Sequence, residues 1–120
     1  MRMIDFHGLK VWHKSHALTL EVYRETNHAL RKDRSLAAQT RRAAASISAN
    51  IVEGCGGASQ AELGRFLGIA LKSAIELEYH LLLAHDLHLL TTVRYRALRS
   101  ETQEVKRMLT GFIKKINEQR

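Results

Sequence analysis

The sequence predicts an all-α protein, an antiparallel up-down-up-down four-helix bundle. Three observations predict it. Four long stretches repeat apolar residues at three- and four-residue steps. The chain has no proline and only seven glycines, three of them together at Gly54, Gly56 and Gly57. The breaks between the stretches are only a few residues long, which makes consecutive helices antiparallel neighbours. With 120 residues, 45% of them hydrophobic, and no linker-rich boundary or tandem repeat, residues 1–120 read as one domain.

Residues 1–9 read as an extended lead-in, with Phe6 and Leu9 available to dock it. The first helix is predicted over about 9–30, with Trp12, Ala17, Leu20, Tyr23 and Leu30 buried and His16 and Thr19 near that face. Trp12 suits a packing anchor better than a base-stacking platform, because its neighbours form a packing pattern. Arg31, Lys32, Asp33 and Arg34 make a charged turn, in which Asp33 can cap the next helix. The second helix is predicted over about 35–52, with Leu36, Thr40, Ala43, Ile47 and Ile51 inward. Small Ala43 to Ala45, Ser46, Ser48 and Ala49 permit close approach by another helix. Gly54, Gly56 and Gly57 read as the segment that releases this helix and turns the chain; they lack the lysine and spacing of a phosphate loop.

Ser59 and Glu62 form a capping-box pattern, so the third helix is predicted over about 60–90. Leu63, Phe66, Leu67, Ala70, Ala74, Leu77, Leu81 and Ala84 lie on one stripe. Ile69, Leu71, Ile75, Leu82, Leu83, Leu87 and Leu90 widen it, which predicts a helix covered on several sides. At about 1.5 Å of rise per residue it would extend about 40 Å. Glu62, Arg65, Lys72, Glu76, Glu78, His80, His85 and Asp86 interrupt the run and exclude a membrane span. Thr91 and Thr92 suit the cap of the fourth helix, predicted over about 93–117 with Leu98, Thr102, Val105, Leu109, Phe112 and Ile116 inward.

A formal charge of +7 and a pI near 10.0 point to polyanionic partners. The best sequence-local candidates for phosphate contact are Arg31, Lys32, Arg34, Arg41 and Arg42, and a solvated basic rim is the competing reading. Charge alone does not choose RNA over DNA. Glu53, Glu76 and Glu78 are expected to pair with Arg41, Arg42 or neighbouring helices and to fix packing. Single Cys55 excludes an intramolecular disulfide and reads as a buried, inert thiol. With no secretory leader, it also points to the cytoplasm.

Di-metal bundles place Glu-x-x-His pairs inward. Here Glu76 meets Tyr79 at plus three and Glu78 meets Leu81; Glu76–His80 and His85–His88 complete no ligand set. No metal, cofactor or catalytic residues are assigned, and the chain reads as non-enzymatic.

At RRAAASISANIVEG (residues 41–54) and FLGIALKSAIELEYHL (residues 66–81) the chain resembles the four-helix-bundle family encoded in 23S ribosomal RNA intervening sequences. Relatives of that family include the accessory variability protein of diversity-generating retroelements. The resemblance implies a four-helix protomer, a homopentameric assembly, and a structural and assembly signature. Its matching positions include Ser46, Asn50, Glu53, Gly54, Phe66, Ser73, Glu76 and Glu78. The chain departs from similar sequences in the turn CGGAS, which lacks a basic residue, in Lys72 where a small residue is common, and in having no proline before the second helix. The function expected is a homo-oligomeric scaffold or adaptor that engages RNA or a ribonucleoprotein through basic surfaces. The alternative is a protein-interaction scaffold without direct nucleic-acid binding, such as an accessory partner of a reverse transcriptase.

Overall fold

The structure, a computed structural model of the chain, describes residues 3–119. A short 3-10 turn at Phe6–Gly8 leads into four α-helices: α1 (Lys10–His28), α2 (Arg34–Cys55), α3 (Gln60–Asp86) and α4 (Thr92–Glu118). Packing runs α1–α2, α2–α3, α3–α4 and α4–α1, with no diagonal pair among the described residues, so the helices close an up-down-up-down ring. The molecule measures 46 × 20 × 20 Å, the length that its 27-residue third and fourth helices set.

The lead-in is not simply extended. Asp5 accepts a hydrogen bond from the His7 amide (3.0 Å) and starts the 3-10 turn, which packs Phe6 and Leu9 partly against the core. Residues 1 and 2 of the predicted lead-in lie outside the described residues. Asp33 caps α2 by accepting from the Leu36 amide (2.9 Å), and Thr91 caps α4 by accepting from the Arg94 amide (3.2 Å). Ser59 likewise accepts from the Glu62 amide (3.1 Å), but the Glu62 carboxylate turns to Arg65 (3.1 Å) instead of returning to the cap.

The inward stripes predicted for α2 and α4 are the observed ones, with Phe112 half-buried at the edge. α1 differs. Its inner face is Val11, Ser15, Leu18, Val22 and Thr26, while Ala17, Leu20 and Tyr23 are exposed and Trp12 is half-buried. Two hydroxyl residues can occupy the core because each donates to its own helix: Ser15 Oγ to the Trp12 carbonyl (2.9 Å) and Thr26 Oγ1 to the Tyr23 carbonyl (3.0 Å).

α2 does not stop at Val52. It runs through Gly54 to Cys55, and no glycine among the described residues has a positive φ. Gly54 is buried, and a Cβ there would lie 3.1 Å from Leu63 Cδ1 and 3.2 Å from Phe66 Cβ, so its role is close helix approach rather than helix release.

α3 ends four residues before the predicted boundary. His88 takes φ 61°, its amide donates to the His85 carbonyl (2.9 Å), and the Leu89 amide reaches back to the Ala84 carbonyl (2.9 Å). This is a Schellman closure with histidine where glycine is the usual residue. Replacing His88 with glycine relieves the left-handed strain, and His88→Gly is expected to stabilise the fold by about 0.5–1 kcal/mol. Urea denaturation checks it; a variant less stable than the parent contradicts the reading.

α3 is also not covered on every side. Within one chain Ile75 is 49%, Tyr79 58% and Leu82 41% exposed, on one outer face with the helical glycines Gly64 and Gly68. No helix among the described residues is long and apolar enough to cross a membrane.

Candidate nucleic-acid interface

The topology puts the α1–α2 turn and the α3–α4 turn at the same end of the bundle. Arg31 and Lys32 stand exposed in the first of these turns, and Arg34 opens α2 beside the Asp33 cap. Arg42 lies exposed on α2, eight residues after Arg34 and so about 12 Å along the axis. Among the described residues none of these four makes an ion pair.

Arg41, grouped with them from the sequence, is placed differently. Its guanidinium donates to Thr26 Oγ1 (2.5 Å) and to the Asn27 side-chain oxygen, and it lies 4.9 Å from the Tyr23 ring centroid. It therefore holds α2 to the end of α1. Arg41→Ala is expected to cost about 1–2 kcal/mol, and Arg42→Ala less than about 0.5 kcal/mol. Thermal melts of the two variants check this, and equal losses would contradict it.

Elsewhere Lys14, Arg24, Arg65, Arg94, Lys106 and Arg107 are paired with carboxylates, while Lys10, Lys72, Arg96, Arg99, Lys114 and Lys115 make no ion pair among the described residues. Arg94 spans the sparsely packed α1–α4 seam to Glu25 and to Glu21 (3.2 Å), and Lys14 meets Glu101 at 3.5 Å. The hydrogen bond to Glu25, helped by the charges of Glu25 and Glu21, pushes the Arg94 pKa further up. Lys106 meets Glu78 at 3.1 Å and Arg107 meets Glu104 at 2.5 Å. Arg24 pairs with Glu21 at 2.6 Å. The groove between α1 and α4, lined by Ala17, Leu18, Ala97 and Leu98, is thus rimmed by satisfied ion pairs.

The resemblance-derived positions divide into two groups. Ser46 and Ser73 meet across α2–α3 at 2.8 Å, and Asn50 Nδ2 donates to Ser46 Oγ (3.0 Å) and to its carbonyl (2.8 Å). Gly54 and Phe66 meet at the other end of the same interface, where Arg65 lies 4.3 Å from the Phe66 ring centroid. Glu78 crosses to α4 instead, and Glu76 stays exposed beside His80 on its own helix, 3.7 Å from Nε2. Glu53 is exposed with no ion pair among the described residues, so the expected pairing with Arg41 or Arg42 is not formed.

His80 was not singled out as a core residue by periodicity, yet it is 6% exposed, and its Nδ1 has no partner among the described residues. Burial pushes the Cys55 thiol pKa up, with the charge of Asp5 adding to it, which disfavours the reactive thiolate. Among the described residues no three His, Cys, Asp or Glu side chains are arranged to hold a metal ion.

The family model described as 23S rRNA-intervening sequence protein matches residues 7–111. Among solved structures, the chain is similar to a protein of unknown function from the S23 ribosomal protein family of Bacteroides thetaiotaomicron. The two share a TM-score of 0.81 and 30% identity, covering 87% of this chain and 98% of that one. No curated protein matches. The family model spans most of the chain, and the four helices are the protomer that the resemblance implied, so the chain belongs to the 23S rRNA-intervening sequence protein family.

Proposed function

We propose that the protein is a non-enzymatic, homo-oligomeric scaffold of the cytoplasm that engages RNA or a ribonucleoprotein through repeated basic surfaces. The observation that carries this reading is the grouping of unpaired cations at the Arg31 end. Arg31, Lys32, Arg34 and Arg42 project without carboxylate partners among the described residues from the α1–α2 turn and the first half of α2, whereas the other unpaired cations, Lys10, Lys72, Arg96, Arg99, Lys114 and Lys115, are spread over α1, α3 and α4. Unpaired exposed cations keep their field for an external polyanion.

Self-association is supported by the outer face of α3, where Ile75, Tyr79 and Leu82 stand exposed. A Cβ at Gly68 would meet nothing within 4 Å, which leaves room there for another chain. The homopentameric count rests on the family resemblance. Copies of one basic end, held together, convert weak phosphate contacts into a multivalent grip.

The same exposed apolar face favours a second reading, a protein-interaction scaffold without direct nucleic-acid binding, such as a reverse-transcriptase accessory protein. Titration with structured RNA, single-stranded RNA and duplex DNA at several salt concentrations separates the two. Saturable RNA binding that weakens with salt is the expected result, and no saturable binding at low salt transfers the assignment to the protein scaffold. Sedimentation of an Ile75→Asp/Tyr79→Glu/Leu82→Asp variant tests the assembly face. It is expected to run as a smaller species of unchanged helicity, and wild-type mass would remove α3 from the interface.

A further inference from the structure

Between the two turns at the basic end lies a cavity of about 260 Å³, lined by His28, Ala29, Arg31, Lys32, His88 and Leu89. Its four ionisable side chains come from segments nearly 60 residues apart in sequence, and all four are cationic or become so on protonation. Of the carboxylates nearby, Asp33 caps α2 and Glu25 holds Arg94, while Asp86 is exposed and lies 3.5 Å from His85 Nδ1. Arg34 and Arg94 are the charged residues in the first turns of the two helices that start at this end. His28, Arg31, Lys32 and His88 have no ion pair among the described residues.

The second observation is independent of charge. His88 is the only described non-glycine residue with a positive φ, 61°, at a position that glycine would hold with less strain. Strain of this kind persists at sites where the side chain has a task, and here the side chain lines the cavity. The cavity falls just below the range of about 300–1,000 Å³ usual for small-molecule sites, which suits a charged head group rather than a whole nucleotide.

We propose that this pocket binds a phosphomonoester, with Arg31 and Lys32 supplying fixed charge and His28 and His88 adding charge-assisted hydrogen bonds when protonated. It deepens the RNA-binding reading, on which it rests, by making a terminal phosphate the preferred contact. A terminal phosphate carries close to two negative charges near pH 7, where an internal phosphodiester carries one. A protonated imidazole donates to the phosphate where a neutral one can present an acceptor, so the preference for a phosphomonoester is expected to be larger at the lower of two pH values at which the phosphate keeps most of its second charge.

The test uses the full chain with inorganic phosphate, ribose 5-phosphate, and one oligoribonucleotide bearing either a 5′-phosphate or a 5′-hydroxyl, at pH 6.5 and pH 8. At pH 6.5 the phosphorylated oligomer is expected to bind roughly tenfold more tightly than its hydroxyl twin, narrowing to about twofold at pH 8. The His28→Gln/His88→Gly double variant should keep only the pH 8 difference at both pH values, with helicity intact. Equal affinity of the two oligomers at pH 6.5, or an unchanged pH response in the double variant, overturns the pocket while leaving the basic surface standing. Saturable capture of ribose 5-phosphate with no binding of the 5′-hydroxyl oligomer would keep the pocket, identify a small phosphomonoester as its source, and end the RNA-surface reading.

Discussion

Gly54→Leu is expected to destabilise the protein by about 3 kcal/mol and to lower its Tm by roughly 10 °C. A Cβ at this position would sit 3.1 Å from Leu63 Cδ1, 3.2 Å from Phe66 Cβ and 3.4 Å from the Leu63 carbonyl oxygen. Leu63 Cδ1 can swing aside, but Phe66 Cβ and the carbonyl move only with the α3 backbone. A leucine adds three further carbons at the most extensive helix interface of the bundle, so α2 and α3 must separate. Gly54→Ala makes the useful comparison. Its gain in helix propensity, about 1 kcal/mol, opposes a shift of a few tenths of an ångström, and the net change is small. Parallel urea titrations decide it, and a leucine variant as stable as wild type would contradict the close packing.

The same glycine shows what sequence reasoning could and could not reach. A glycine near a helix end reads as a terminator because many helices stop there. Only the approach of Leu63 and Phe66 reveals that the missing side chain makes room for a neighbour. The inner faces of α2 and α4 were legible because aliphatic side chains at regular steps make up most of their buried positions, with Thr40 and Thr102 falling in step with them. α1 was misread because Ser15 and Thr26 are core residues whose hydroxyls are satisfied locally, so apolarity pointed instead to Ala17, Leu20 and Tyr23, which are exposed. The early end of α3 was hidden by His88, since histidine is not the residue that usually closes a helix in the left-handed region.

For the basic surface, the charges were legible and their pairing was not. Arg41 and Arg42 are adjacent in sequence, yet one is held by Thr26 and Asn27 and the other is exposed. Pairing depends on which helices meet, a tertiary fact. Likewise nothing local in the sequence pairs Arg94, and the fold sets it between two glutamates of α1. The cations that remain unpaired at the Arg31 end are the smaller set to which the proposed RNA contact is assigned.

Joint replacement of Arg31, Lys32, Arg34 and Arg42 by glutamine is expected to weaken RNA affinity by about a hundredfold at moderate salt. All four are exposed and lack ion pairs among the described residues, so the core is untouched and helicity should be unchanged. Arg41 stays in place because its loss would loosen α1 from α2 and confuse folding with binding. Each neutralised phosphate contact releases less than one counterion for a single strand, so removal of four should flatten the slope of log affinity against log salt by about three.

The most direct test of the account is therefore the salt dependence of single-stranded RNA binding, measured side by side for wild type and this four-residue variant at matched oligomeric mass. The account predicts a steep wild-type line and a variant line that is lower and flatter by about three units of slope. Superimposed lines would contradict the assignment of RNA contact to this end of the bundle.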